Sequence, residues 1–176
     1  MRILIALLRL ARPAQWVKNI FVFTALIFSG LALEPASVAA ALIAFAAFSM
    51  ASSAIYFLND YKDMEEDRLH PVKCNRPLAS GRLPRAVGPI GALVLATTAT
   101  LLAGWQLGPV SAGILLTYLA MNAAYSLGLK NLVIIDVLII AAGFVLRILV
   151  GAAAIARLPS TWLILCAVTV SLFLGF

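Results

Sequence analysis

Residues 37–67 read SVAAALIAFAAFSMASSAIYFLNDYKDMEED. From 37 to 59 there is no charged residue, yet five of the chain's seven acids fall between Asp60 and Asp67. A transmembrane helix needs about 20 mostly apolar residues. Residues 37–59 therefore predict a membrane-spanning helix that ends in a carboxylate cluster at a membrane surface. Each helical residue turns by roughly 100°, which puts Asp60, Asp63 and Asp67 within an arc of about 60°. Asn59 and Glu66 lie at its edge. Like charges on one stripe destabilise a helix, so something must offset them. Mg²⁺ suits the task, because it is usually held by one or two carboxylates plus substrate phosphates. The plainer alternative is a solvated charge run between two spans. The basic residues that follow favour the phosphate-binding reading.

Working outward, the 176 residues are 64% hydrophobic with a net charge of +6 and a mean hydropathy of +1.06. A soluble domain would be nearer half apolar, so the chain is expected to be an integral membrane protein. Further spans are expected near 14–33, 87–104, 109–128 and 132–155, and a sixth from about 160. Segment 2–12, interrupted by Arg2, Arg9 and Arg12, suits a basic amphipathic helix in the interface rather than a cleaved signal. The segment Thr161 to Phe176 covers about 24 Å at 1.5 Å per residue, short of the ~30 Å hydrocarbon core. The expectation is an all-α polytopic transmembrane bundle with five complete spans and a truncated sixth. Residues 1–176 then form one membrane domain, the N-terminal part of a larger bundle.

Basic residues set the orientation. With the N-terminus in the cytoplasm, Arg2, Arg9, Arg12, Lys18, Lys62, Arg68, Lys73, Arg76, Arg82, Arg85 and Lys130 share that side, against Arg157 alone on the other. This asymmetry puts the acidic cluster in the cytoplasm of a cell inner (plasma) membrane protein. The basic excess is a topology signal, and no nucleic-acid partner is expected. Cys74 lies in a polar loop and Cys166 in an apolar span, so no disulfide is expected.

Four constellations carry chemistry. The first is the carboxylate cluster. The second is the loop after it, with His70, Lys73, Arg76, Arg82 and Arg85. Lys73 and Arg76 are placed to bind outer phosphate oxygens, whereas Arg82 and Arg85 read as topology signals and His70 as structural. The third is Arg12-Pro13-Ala14-Gln15-Trp16-Val17-Lys18-Asn19. Trp16 fits an interfacial anchor, while Lys18 and Asn19 either snorkel or face the bundle interior. The fourth is Tyr125-Ser126, Lys130, Asp136 and Arg147. Charges inside a span default to a functional hypothesis. Asp136 and Arg147 share a helix face but lie about 16 Å apart along it, so each must find another partner.

Together these residues resemble the UbiA superfamily of intramembrane prenyltransferases. The NDxxDxxxD pattern stands here as Asn59, Asp60, Asp63 and Asp67. The flanking Arg12-Pro-x-Gln-Trp-x-Lys-Asn19, Asp67-x-x-His-Pro-x-Lys-x-x-Arg-Pro77 and Tyr125-Ser-x-x-Leu-Lys130 are similar to its decaprenyl-phosphate phosphoribosyltransferase branch. The resemblance implies a UbiA-like bundle of about nine helices and Mg²⁺ at Asp60, Asp63 and Asp67. It also implies transfer of a 5-phosphoribosyl group from phosphoribosyl diphosphate to a polyprenyl (decaprenyl) phosphate, releasing diphosphate. Lys18, Asn19, Asn59, Lys73, Arg76, Tyr125, Lys130 and Arg147 are the substrate-binding candidates. The superfamily's second polar motif, after its sixth helix, is not in this chain, so the 176 residues alone are expected to be inactive. The expected partners are the two substrates and the membrane, with a homo-oligomer allowed. Two alternatives remain open at this point. One is an aromatic prenyltransferase of quinone biosynthesis that uses a polyprenyl diphosphate. The other is a transporter fragment with Asp136 and Arg147 lining a path, which the lack of Gly- or Pro-broken span centres disfavours.

Overall fold

A computed structural model describes residues 2–127 and 133–175. It is helical throughout, with no strand among the described residues. Helix α1 spans Arg2–Ala11, a 3-10 helix follows over Pro13–Phe23, and α2 covers Thr24–Phe28. Then come α3 (Pro35–Lys62), α4 (Met64–Leu69), a one-turn 3-10 segment (Lys73–Asn75), α5 (Val87–Leu107), α6 (Pro109–Leu127), α7 (Val133–Ala154) and α8 (Thr161–Gly175). Among the described residues three helices are long and apolar enough to cross a membrane: Pro35–Lys62, Val87–Leu107 and Asp136–Ala154.

The expected spans 37–59, 87–104, 109–128 and 132–155 coincide with α3, α5, α6 and α7, and the segment from 160 with α8. The expected first span, 14–33, does not form one helix. Eleven residues wind as 3-10, five as α, and the chain turns at Ser29 and Gly30. A 3-10 helix rises about 2.0 Å per residue, so these 16 residues still reach ~30 Å.

The reason for the tighter winding lies in its partner. In a 3-10 helix, side chains at i and i+3 eclipse, so Trp16, Asn19 and Val22 form one straight row. Trp16 Nε1 donates to Ser53 Oγ at 3.0 Å, and Asn19 Nδ2 donates to Ser49 Oγ at 3.0 Å and Ser52 Oγ at 3.3 Å. Three residues of 3-10 helix and four of α-helix both advance about 6 Å. The row of three therefore runs in step with the serines of α3.

The main core joins Val22, Phe48, Ile55, Ala99, Leu115, Tyr118 and Val150. The face of α3 at Ala41, Ala44, Ala47 and Ala51 is fully buried. Small residues let helix backbones approach closely where lipid offers no hydrophobic drive for association. Gly151 of α7 carries this furthest, since a Cβ there would lie 1.9 Å from the Val22 carbonyl oxygen. Helix α1 docks through Ala6 and Leu10 onto Phe57, Met64, Leu78 and Leu83, leaving Ile3, Leu4 and Leu8 exposed. A helix thus forms where one was expected, at 2–12. Cys74 and Cys166 are free thiols.

Candidate active site

The last turn of α3 brings Asn59 and Asp60 to the end of the bundle where α1 and the 70–86 loop gather. Asn59 Oδ1 accepts from Ser126 Oγ of α6 at 2.8 Å. Helix α3 stops at Lys62, Asp63 sits at the junction with φ −84° and ψ 2°, and α4 restarts at Met64. The three aspartates therefore do not share one continuous helix, as the stripe argument expected. Asp60 and Asp67 are buried, 2% and 3% exposed.

Arginines offset the repulsion between these two carboxylates. Arg76 Nη1 donates to Asp67 Oδ2 at 2.6 Å and reaches Asp60 Oδ1 at 3.4 Å. Arg12 Nη2 donates to Asp60 Oδ1 at 2.5 Å, with its guanidinium 4.9 Å from the Tyr56 ring centroid. A buried unpaired carboxylate is costly, and two guanidinium charges here match two carboxylates. Side chains thus supply part of the charge balance that the stripe argument assigned to a metal. That part comes from two side chains, one 48 residues before Asp60 and one 16 residues after it.

No group of three His, Cys, Asp or Glu side chains with metal-binding spacing occurs among the described residues. The pair Asp60 and Asp67 nevertheless already shares one cationic nitrogen. Hard carboxylate oxygens converging on a shared positive charge suit Mg²⁺, which needs only one or two carboxylates beside phosphate and water. The residues present fit such an ion.

The other expected residues divide clearly. Lys73 is exposed, and its backbone N–H and that of Val72 donate to His70 Nδ1 at 3.3 and 3.2 Å, so His70 shapes the loop. Lys130 lies outside the described residues. Lys18 is exposed at the edge of a cavity of about 160 Å³ that Tyr56, Tyr118, Asn122, Tyr125, Asp136 and Arg147 also line. Asp136 and Arg147 face this space together, and each has the separate partner their spacing required. Tyr125 Oη donates to Asp136 Oδ1 at 2.7 Å, and Arg147 Nε donates to Asn19 Oδ1 at 2.9 Å. The guanidinium of Arg147 is further enclosed by the rings of Phe48, Tyr118 and Phe144, with centroids 4.9 to 5.6 Å away. Asn19, fully buried between Arg147 and the α3 serines, faces the interior rather than snorkelling.

Tyr56 joins the two groups, because its ring lies under Arg12 and also lines the cavity. Sequence reasoning missed Tyr56, Tyr118 and Asn122, and left Arg12 outside the site. The signals were present: Tyr56 precedes Asp60 by one turn, and Tyr118, Asn122 and Ser126 repeat every four residues along α6. A larger apolar cavity of about 400 Å³, lined by Leu107, Pro109 and Arg157 among others, lies at the opposite end of the bundle and holds none of the expected residues.

Comparison with known proteins agrees with this architecture. Over 174 residues the chain is 38% identical to the decaprenyl-phosphate phosphoribosyltransferase of Mycolicibacterium smegmatis, covering 96% of this chain and 54% of that one. The protein of the same name from Corynebacterium glutamicum is 34% identical over 173 residues, covering 96% and 52%. The chain thus spans about half the length of the curated relatives it matches. A solved UbiA homologue from Archaeoglobus fulgidus, bound to DMAPP and Mg²⁺, superposes with a TM-score of 0.79 over 96% of this chain and 60% of that one, at 18% identity. The model of the UbiA prenyltransferase family matches residues 20–176. The resemblance read from the acidic motif and its flanks holds at this level: the chain is a helical membrane protein and belongs to the UbiA prenyltransferase family.

Proposed function

We propose that the complete protein transfers a 5-phosphoribosyl group from phosphoribosyl diphosphate to a polyprenyl (decaprenyl) phosphate. An oxygen of the lipid phosphate attacks the anomeric carbon of the ribose, the bond from that carbon to the diphosphate breaks, and diphosphate leaves. No general base is required, because the attacking phosphate is already an anion. The observation that carries this reading is the pair of buried carboxylates, Asp60 and Asp67, held against Arg12 and Arg76 beside a polar cavity. The 34–38% identity to named phosphoribosyltransferases over nearly the whole chain supports the choice of donor.

Asp60, Asp63 and Asp67 would hold Mg²⁺. When bound, the ion supplies Lewis-acid stabilisation of the leaving diphosphate. The rest falls to this chain's side chains. Arg76, Lys73, Lys18 and Lys130 bind phosphate oxygens. Asn59 is oriented by Ser126 of α6. Asn19 fixes Arg147, and Tyr125 engages Asp136. The exposed apolar face of α1 lies on the inner leaflet of the plasma membrane, with the N-terminus and acidic motif cytoplasmic, as the basic residues favour.

The test is transfer by the complete protein in detergent, with labelled phosphoribosyl diphosphate, polyprenyl phosphate and Mg²⁺. Mg²⁺-dependent label in the lipid phase is expected. Transfer instead from a polyprenyl diphosphate to an aromatic acid, with no labelled lipid, would overturn the donor assignment.

A further inference from the structure

We infer that Arg12 is a positioning residue for Asp60, presenting one carboxylate oxygen to the bound cation by holding the other. This rests on the metal–diphosphate reading above and adds a residue that reading does not use.

Arg12 is one of two non-glycine residues with positive φ among the described residues, at φ 52° and ψ 61°. L-residues avoid this region, and such outliers persist only where surroundings impose them. Here the surroundings are one face of α3. Ser53 Oγ shares its proton between the Ala11 carbonyl at 2.9 Å and the Ser49 carbonyl at 2.8 Å, and accepts from Trp16 Nε1 at 3.0 Å, tying the chain to α3 on both sides of Arg12. Tyr56 lies beneath the guanidinium, and Asp60 receives its Nη2. Ser53, Tyr56 and Asp60 are spaced i, i+3 and i+7, so they share a helix face. The turn from α1 into the 3-10 helix is thereby fixed with its guanidinium against a single carboxylate oxygen.

Both arginines contact Asp60 through Oδ1, leaving Oδ2 outside these ion pairs. Arg76 is nearer to Asp67, at 2.6 Å, than to Asp60, at 3.4 Å. Without Arg12, only the longer 3.4 Å contact with Arg76 holds the Asp60 carboxylate. Groups that orient a metal ligand typically matter by 10–100-fold in metal affinity.

The test uses the complete protein in detergent, with thermal stability followed as Mg²⁺ is titrated at fixed inorganic diphosphate. In Arg12→Gln the Mg²⁺ midpoint is expected to rise about tenfold. Arg12→Lys keeps the charge but loses the planar fork and is expected to fall between it and the wild type. A lower melting temperature with an unchanged midpoint would make Arg12 a structural strut and overturn the inference. A lowered midpoint would make it a counter-ion that competes with the metal, and would also overturn it. If Arg12→Gln does not fold, Arg12→Lys decides alone, and an unchanged midpoint there is equally fatal. Absence of any Mg²⁺-dependent shift in the wild type would overturn the metal reading itself, and the role of Arg12 with it.

Discussion

Replacing Gly151 by alanine tests the packing that sets the polar cavity. The new Cβ would lie 1.9 Å from the Val22 carbonyl oxygen, 2.8 Å from its carbonyl carbon and 3.2 Å from its Cα. A carbon–oxygen contact becomes tolerable near 3.3 Å, so α7 and the 3-10 helix must separate by about 1.4 Å. The obstacle is backbone on both sides, and no rotamer change relieves it. Arg147 lies one turn before Gly151 on α7, and its 2.9 Å bond to Asn19 crosses the same interface. Opened by that amount, the bond leaves the range in which N–H···O bonds form. Overpacking typically costs about 1–3 kcal/mol, and loss of a hydrogen bond to a charged group about 1.5–3 kcal/mol. The expected loss of stability for Gly151→Ala is therefore about 3–5 kcal/mol.

The assay is unfolding of the complete protein in detergent, with Gly113→Ala as control. A Cβ at Gly113 would meet nothing within 4 Å, and alanine's helix propensity favours it by up to about 1 kcal/mol. Comparable stability of the two variants would refute the close approach. A second measurement isolates the hydrogen bond. In an Asn19→Ala background Gly151→Ala should cost about 1.5–3 kcal/mol less, because the bond is already gone. Strict additivity would mean that the separation never reaches Asn19 and Arg147.

The remaining expectations follow from individual contacts. Asp63→Asn should lower turnover by ~100-fold or more and weaken Mg²⁺-dependent donor binding, since ligands matter at least as much as their supports; unchanged turnover in a transfer assay would remove the metal assignment. Arg76→Met leaves the buried Asp67 without its 2.6 Å partner and should cost about 3 kcal/mol in an unfolding titration. Asn19→Leu strips the Nε acceptor from Arg147 and should cost about 2 kcal/mol by the same measurement. Ser126→Ala frees Asn59 at a cost of about 1 kcal/mol; donor affinity should drop with it, and an unchanged donor KM would show that Asn59 holds its place without α6.

Hydropathy located the helices well because a membrane span is a property of one segment. The uncharged run at 37–59 became a helix over Pro35–Lys62, extended by about a turn into the polar stretch. The 3-10 helix could not be read in the same way. Its winding answers to Ser49, Ser52 and Ser53, 30 to 37 residues away, and in sequence those serines are only small residues in an apolar helix. Tyr56 and Tyr118 were hidden for a related reason, since an aromatic at helical spacing within a span looks like core. Each is a wall of the cavity as well, which becomes visible only once Arg147 and Lys18 arrive from other helices.

The acidic motif shows where a spacing argument succeeds and where it stops. Backbone bonds from Asp63 N to Asn59 O and from Asp67 N to Asp63 O, at 2.9 and 2.8 Å, carry the helical repeat across the junction. Asp60 and Asp67 consequently reach the same guanidinium despite the break, as seven residues on one face imply. Spacing could not reveal what neutralises them, because Arg12 and Arg76 belong to segments that fold over from either side. The burial of Asp60 and Asp67 is therefore conditional on both segments being in place: α1 must dock through Ala6 and Leu10 to deliver Arg12, and the loop must fold around buried Leu78 and Leu83 to deliver Arg76. The hydrophobic cluster beneath the site and the charges within it thus depend on each other. Either segment alone would leave a buried carboxylate without its short ion pair, which is costly. Helix α1 is accordingly as much a part of the site as α3, because its docking delivers Arg12 to Asp60.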